Sequence, residues 1–86
     1  MYQVIFEEPA QRQLRKLDRS IQVRLLKALL KLEINPRMNG SKRLTGMEDL
    51  YRIRSGDYRI LYRIKDDKLL ILVVGVGHRR EIYKRL

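Results

Sequence analysis

The chain has 86 residues, with 20 Lys and Arg against 10 Asp and Glu, a formal charge of +10 and no cysteine. Its length admits one domain, residues 1–86, and a chain this short buries roughly 60–65% of its unfolded surface. The lack of cysteine excludes a disulfide framework, a thiolate zinc site and a Cys nucleophile. Hydrophobic residues make up 44% of the chain, enough for a core and too many for a disordered basic tail. The opening Met1-Tyr2-Gln3-Val4-Ile5-Phe6-Glu7-Glu8 has neither the basic start nor the long apolar stretch of a signal peptide. The longest apolar run, Leu69 to Gly77, is far shorter than the ~20 residues of a membrane helix. The expectation is therefore a cytoplasmic protein with no membrane partner and no direct small-molecule ligand. A folded domain with this charge meets a polyanion, nucleic acid first.

In chain order, Tyr2 to Phe6 is β-branched and aromatic and reads as a strand. Glu7-Glu8-Pro9 opens a helix, since acid and Pro are both favoured in a first turn; Ala10, Leu14 and Leu17 follow at helical spacing. Asp18 or Ser20 caps a second helix with the apolar face Ile21, Leu25, Ala28, Leu29, Leu32, widened by Leu26 and Leu30. Asn35-Pro36 stops it. A polar loop of about 15 residues, Asn35 to Asp49, is long for a compact domain and implies function or bracing by Leu44 and Met47. Leu50–Arg54 and Tyr58–Ile64 then alternate as strands around Ser55-Gly56-Asp57, a hairpin signal. Asp66-Asp67-Lys68 turns into Lys68–Val76, apolar enough for a central strand covered on both faces. A short basic tail from His78 to Leu86 follows, read as a C-terminal helix. The order β-α-α-β-β-β with that helix defines an α+β domain: a mostly antiparallel sheet with a helical hairpin on one face.

Residues two apart in a strand share a face. Tyr58, Ile60, Tyr62 and Ile64 therefore oppose Arg59, Leu61 and Arg63, and Tyr51 and Ile53 oppose Arg52 and Arg54. The apolar sets must face the helices, because a slip of one residue would bury arginine. Two registers satisfy this: Arg54 opposite Arg59, or Arg52 opposite Arg59. Either gathers Arg52, Arg54 and Arg59 on the open face. Like charges facing each other across strands cost a few tenths to about 1 kcal/mol. Guanidinium groups suit bidentate phosphate contacts, which favours a phosphate-binding face over an ordinary solvated one.

Gly77-His78-Arg79-Arg80-Glu81-Ile82-Tyr83-Lys84 leaves the last strand beside this sheet and carries the one histidine. Two-metal hydrolysis needs clustered carboxylates, and the ten acids here are scattered. P-loop glycines are absent. Metal-independent transesterification remains, in which an RNA 2′-hydroxyl attacks its own phosphate and no cofactor is used. Arg52, Arg54, Arg59 and Arg79 are the candidates for stabilising the extra negative charge, and His78 or Tyr83 for moving protons. Arg63, Arg80, Lys42, Arg43 and Lys84 are assigned to RNA contact.

Leu44-Thr45-Gly46, Leu50-Tyr51-Arg52-Ile53-Arg54, Gly56-Asp57-Tyr58-Arg59-Ile60-Leu61-Tyr62-Arg63-Ile64 and Val76-Gly77-His78-Arg79-Arg80-Glu81-Ile82-Tyr83, in that order, resemble the RelE/ParE toxin superfamily over essentially the whole chain. The resemblance implies the toxin of a type II toxin–antitoxin pair. RelE-like members enter the A site of the ribosome's small subunit and cut mRNA there, leaving a 2′,3′-cyclic phosphate and a 5′-hydroxyl. Their working basic residues, arginine and tyrosine fall on Arg52, Arg54, Arg59, Arg79 and Tyr83. Where this chain has Arg52, Arg54 and His78, the family's type member has lysines. Arginine does not lose a proton, so base duty is assigned to His78 and phosphate clamping to Arg52 and Arg54. The resemblance also implies a cognate RelB-like antitoxin, acidic and partly disordered, that wraps the toxin. The rival readings are a ParE-like gyrase inhibitor on the same fold and a non-catalytic ribosome- or RNA-binding module.

Overall fold

Pro9 stands in the first turn of a helix, where its missing N–H costs nothing, and Asn35 leaves helical geometry immediately before Pro36. Between those limits the chain forms α1 (Glu8–Arg15) and α2 (Arg19–Ile34), after a first strand, β1 (Gln3–Phe6). Then come β2 (Lys42–Arg43), β3 (Leu50–Ser55), β4 (Tyr58–Lys65), a 3-10 turn at Asp66–Lys68, and β5 (Leu70–His78). The computed structural model describes residues 1–44, 46 and 49–78. The expected C-terminal helix falls on 79–86, outside the described residues. No helix among the described residues is long and apolar enough to cross a membrane.

The strands form one sheet in the order β1-β5-β4-β3-β2. β1 runs parallel to β5, and the other three pairings are antiparallel. The α+β architecture matches the expectation, with one addition. Lys42–Arg43 adds a short edge strand to β3 inside the segment read as a loop. Two residues without apolar alternation carry no strand signal, so pairing with β3 decides it.

Both helices pack on one face. Ala10, Leu25, Leu29 and Leu32 meet Ile53, Ile60, Tyr62, Ile64, Ile71, Val73 and Val76 in the main core. Tyr62 is fully buried and donates its hydroxyl to the Pro36 carbonyl at 2.7 Å, which pins the chain leaving α2 onto the sheet. Burial pushes that hydroxyl up to about 12, so it stays a donor. Leu26 and Leu30 do not widen the buried face; they are exposed. The core is supplied instead by residues on the opposite side of α2, because a helix resting on a sheet buries one stripe only.

Asp18 is the N-cap of α2, in non-helical geometry (φ -55, ψ 146) and without a side-chain cap bond. Gln22 ties the helices together instead, donating to the Leu17 carbonyl at 2.8 Å. Past Val73, where β1 ends its pairing, the Val76 amide donates to Gln13 Oε1 of α1 at 2.8 Å. A helix side chain thus satisfies a strand-edge donor that β1 is too short to reach.

Candidate nucleic-acid interface

The β3–β4 hairpin turns on two residues, Gly56 and Asp57, with Ser55 opposite Tyr58 and Arg54 opposite Arg59. Of the two expected registers the structure takes the first. Gly56 has φ +62 and Asp57 is not left-handed, the type II′ pattern that matches strand twist and wants glycine first. The turn is also close to α2: a Cβ on Gly56 would lie 3.0 Å from Arg24 Nη1. Arg24 thus reaches the hairpin tip, a contact that nothing in the sequence signals.

Register fixes the membership of each face. Arg52 opposes Leu61 on one side and Lys42 on the other, so Lys42, Arg52, Arg54 and Arg59 share the face away from the helices. Arg43 opposes Tyr51 and lies on the helix side of the sheet. On β5, Gly75 stands opposite Leu61 and Gly77 opposite Arg59, presenting backbone instead of side chains next to the arginines. This face has an apolar floor. Leu50 and Leu61 are buried there, with Leu44 and Val74 packed against them. A bulge between Leu61 and Tyr62 shifts the β4–β5 pairing at Val74. Lys42, Arg52 and Arg54 form no ion pair among the described residues.

Arg63 is differently placed. Its guanidinium meets Asp49 at 2.8 Å, and Lys65 meets the other carboxylate oxygen at 2.6 Å. Lys65 and then Arg63 hold the Asp49 carboxyl below its ordinary value. Asp49 is itself left-handed at φ 51, and its carbonyl accepts from Ile64 N. The Asp49–Arg63–Lys65 cluster fastens the chain entering β3 to β4.

His78 is also set apart from the arginines. It pairs with Tyr58, a residue packed against the helix-side core, and the two rings meet edge to face at 5.7 Å. The residue that shares the face of Arg59 is Gly77, not His78. Arg79, Arg80, Tyr83 and Lys84 lie outside the described residues.

A second polar network, unforeseen from the sequence, closes the far end of the helix side. Arg37 donates to both carboxylate oxygens of Asp66 at 3.1 and 2.8 Å and to the Tyr51 hydroxyl at 3.2 Å. Tyr2 donates to the same carboxylate at 2.7 Å, and Tyr51 stacks on Tyr62 at 5.9 Å. Arg37 and then Tyr2 hold the Asp66 carboxyl down at about 2. With each guanidinium nitrogen bonded to Asp66 or Tyr51, Arg37 serves the fold.

The fold and the sequence have known counterparts. The family of the ParE toxin of the type II toxin–antitoxin system, parDE, matches residues 4–83. The mRNA interferase toxin RelE of Escherichia coli (strain K12) is 37% identical over 86 residues, spanning 95% of this chain and 90% of that protein. The crystal structure of the isolated E. coli RelE toxin superposes with a TM-score of 0.82 at 34% identity, covering 99% of this chain and 94% of that one. The toxin in the intact E. coli RelBE toxin–antitoxin complex gives 0.81 at 35% identity, over 91% and 96%. The chain belongs to the RelE/ParE superfamily of type II toxin–antitoxin toxins.

Proposed function

We propose that this chain is an mRNA interferase of the RelE type: a cytoplasmic toxin that enters the ribosomal A site, cleaves mRNA there and is held inactive by a RelB-like antitoxin. The observation that carries the reading is the cross-strand gathering of Arg52, Arg54 and Arg59, with Lys42, on the face away from α1 and α2. The similarity to a protein named as an mRNA interferase supports it, and the RelBE complex supports the antitoxin partner.

In this reading the 2′-oxygen attacks the adjacent phosphorus, the bond from phosphorus to the 5′-oxygen breaks, and the products are a 2′,3′-cyclic phosphate and a 5′-hydroxyl. One proton leaves the 2′-hydroxyl and another reaches the departing 5′-oxygen. Arg59, half-buried and fixed in the middle of the sheet, and the more exposed Arg54 bracket the phosphate and stabilise the added charge of the transition state. Arg52 and Lys42 hold a flanking phosphate. Guanidinium groups do not shuttle protons at neutral pH. The helix-side position of His78 favours Tyr83 for that duty, and Arg79 keeps its expected role of stabilising the added charge. Arg63, occupied by Asp49, serves the fold more than the RNA.

The test is cleavage of mRNA in a purified translation system, with and without ribosomes, mapping 5′ ends by primer extension. Cuts within the A-site codon that vanish in Arg59→Ala are expected. The name of the matching family keeps gyrase inhibition as the second reading. Intact mRNA together with blocked gyrase supercoiling would replace the first reading by the second.

A further inference from the structure

β2 has two residues and pairs along one edge of β3, too short a strand to hold its own register. The register matters because alternate residues of a strand point to opposite faces. Lys42 opposite Arg52 joins the arginine face, whereas a slip of one residue would put Arg43 or Ser41 there instead.

The segment entering β2 is tied down at several points. Asn35 Oδ1 accepts from the Arg37 amide at 3.1 Å, and the Ser41 amide donates to the Met38 carbonyl at 3.0 Å. Tyr62 of β4 donates to the Pro36 carbonyl at 2.7 Å and meets the Ser41 side chain. Arg37 reaches farthest, to Asp66 beyond β4 and to the Tyr51 hydroxyl of β3, with its Cζ 5.5 Å from the centroid of the Tyr51 ring. An exposed ion pair contributes little, but a two-pronged guanidinium–carboxylate pair with a third partner fixes direction as well as distance. Tyr51 is also the residue that Arg43 opposes across the β2–β3 pairing. Arg37 thus grips the strand position with which β2 must align.

We propose that Arg37, through Asp66 and Tyr51, is a positioning residue for the RNA site: it sets the register of β2 and so stations Lys42, not Arg43, beside Arg52. Arg37 binds no RNA itself; it acts from the helix side of the sheet on a residue of the opposite face. The inference deepens the reading above and rests on it for the phosphate that Lys42 holds.

The experiment is single-turnover cleavage on mRNA-programmed ribosomes with the toxin in excess, well below each melting temperature. The chains are wild type, Arg37→Gln, Asp66→Ala, Lys42→Gln and Arg37→Gln/Lys42→Gln, and NMR follows the cross-strand proton contacts of Lys42 with Arg52 in each free single variant at position 37 or 66. Arg37→Gln removes a positive charge and Asp66→Ala a negative one, so long-range attraction alone would move binding in opposite directions. The expected result is the same direction for both: a half-saturating concentration raised roughly tenfold, as in Lys42→Gln, with the maximal rate within about twofold. The salt slope falls by about 0.7, the scale of one phosphate contact, in each single variant and no further in the double variant. The Lys42–Arg52 contacts are lost in Arg37→Gln and in Asp66→Ala. Opposite shifts in these two variants, or intact contacts in both, overturn the inference while leaving the reading intact. A lower melting temperature with wild-type half-saturation and slope also overturns it, since Arg37 then braces the fold alone. Lys42→Gln equal to wild type takes Lys42 off the RNA and overturns it as well. Intact mRNA with the wild-type chain removes the reading and the inference together.

Discussion

His78 meets Tyr58 edge to face, ring centroids 5.7 Å apart at 83°, on the side of the sheet that carries the helices. The adjoining Gly77 is the β5 residue that shares the face of Arg59. An imidazole on the opposite face is poorly sited to take a proton from a nucleotide held by arginines. His78→Ala is therefore expected to keep single-turnover cleavage within about threefold of wild type, whereas loss of a true general base costs about 10²–10⁴-fold. A hundredfold loss with the fold preserved would return the base role to His78.

Arg54 and Arg59 face each other as like charges. Replacing Arg54 by Ala relieves that repulsion, worth a few tenths to about 1 kcal/mol, yet removes a phosphate donor. Activity and stability should move in opposite directions: cleavage lower by about 10²–10³-fold, the scale for loss of one transition-state donor, with an unchanged or higher melting temperature. Single-turnover kinetics and a thermal melt on the same preparation check both halves.

Tyr62→Phe keeps the ring in the core and removes the hydroxyl that donates to the Pro36 carbonyl and also meets the Ser41 side chain. A lost buried hydrogen bond that leaves its acceptor without this donor costs about 1–3 kcal/mol. In a domain of this size each kcal/mol lowers Tm by roughly 4–8 °C. Calorimetry should show that drop, with little change in cleavage because Tyr62 lies on the helix side.

Asp66 titrates at about 2 in the folded chain against an ordinary 3.8, held down by Arg37 and then Tyr2. A depressed carboxyl pKa stabilises the fold fully above its unfolded value and loses that contribution as pH falls through the folded one. Stability should thus be insensitive to Asp66 above pH 4 and decline between about 4 and 2. Asp49, also lowered, acts in the same direction. Urea melts across that range should give a flatter acid limb for Asp66→Asn than for wild type.

Much of the site is local and therefore legible in the chain. Alternation in 50–64 places Arg52, Arg54 and Arg59 opposite the apolar set, since burying guanidinium groups is far costlier than exposing them. Ser55-Gly56-Asp57 narrows the hairpin to two registers; the positive φ of Gly56 and the Arg54–Arg59 pairing realise one of them. The helices follow from their spacing and from Pro9 and Pro36.

The rest depends on which distant segments meet. Lys42–Arg43 is a strand because β3 offers an edge, and that pairing sends Lys42 to the arginine face and Arg43 to the other. Arg63 is held by Asp49, fourteen residues away, and Arg37 by Asp66 across twenty-nine. His78 turns to the helix side because the bulge near Val74 resets the β4–β5 register before the strand ends. Periodicity within a strand says which residues share a face. Register between strands, fixed by hydrogen bonds and packing over long sequence separations, says which charges from different strands stand together.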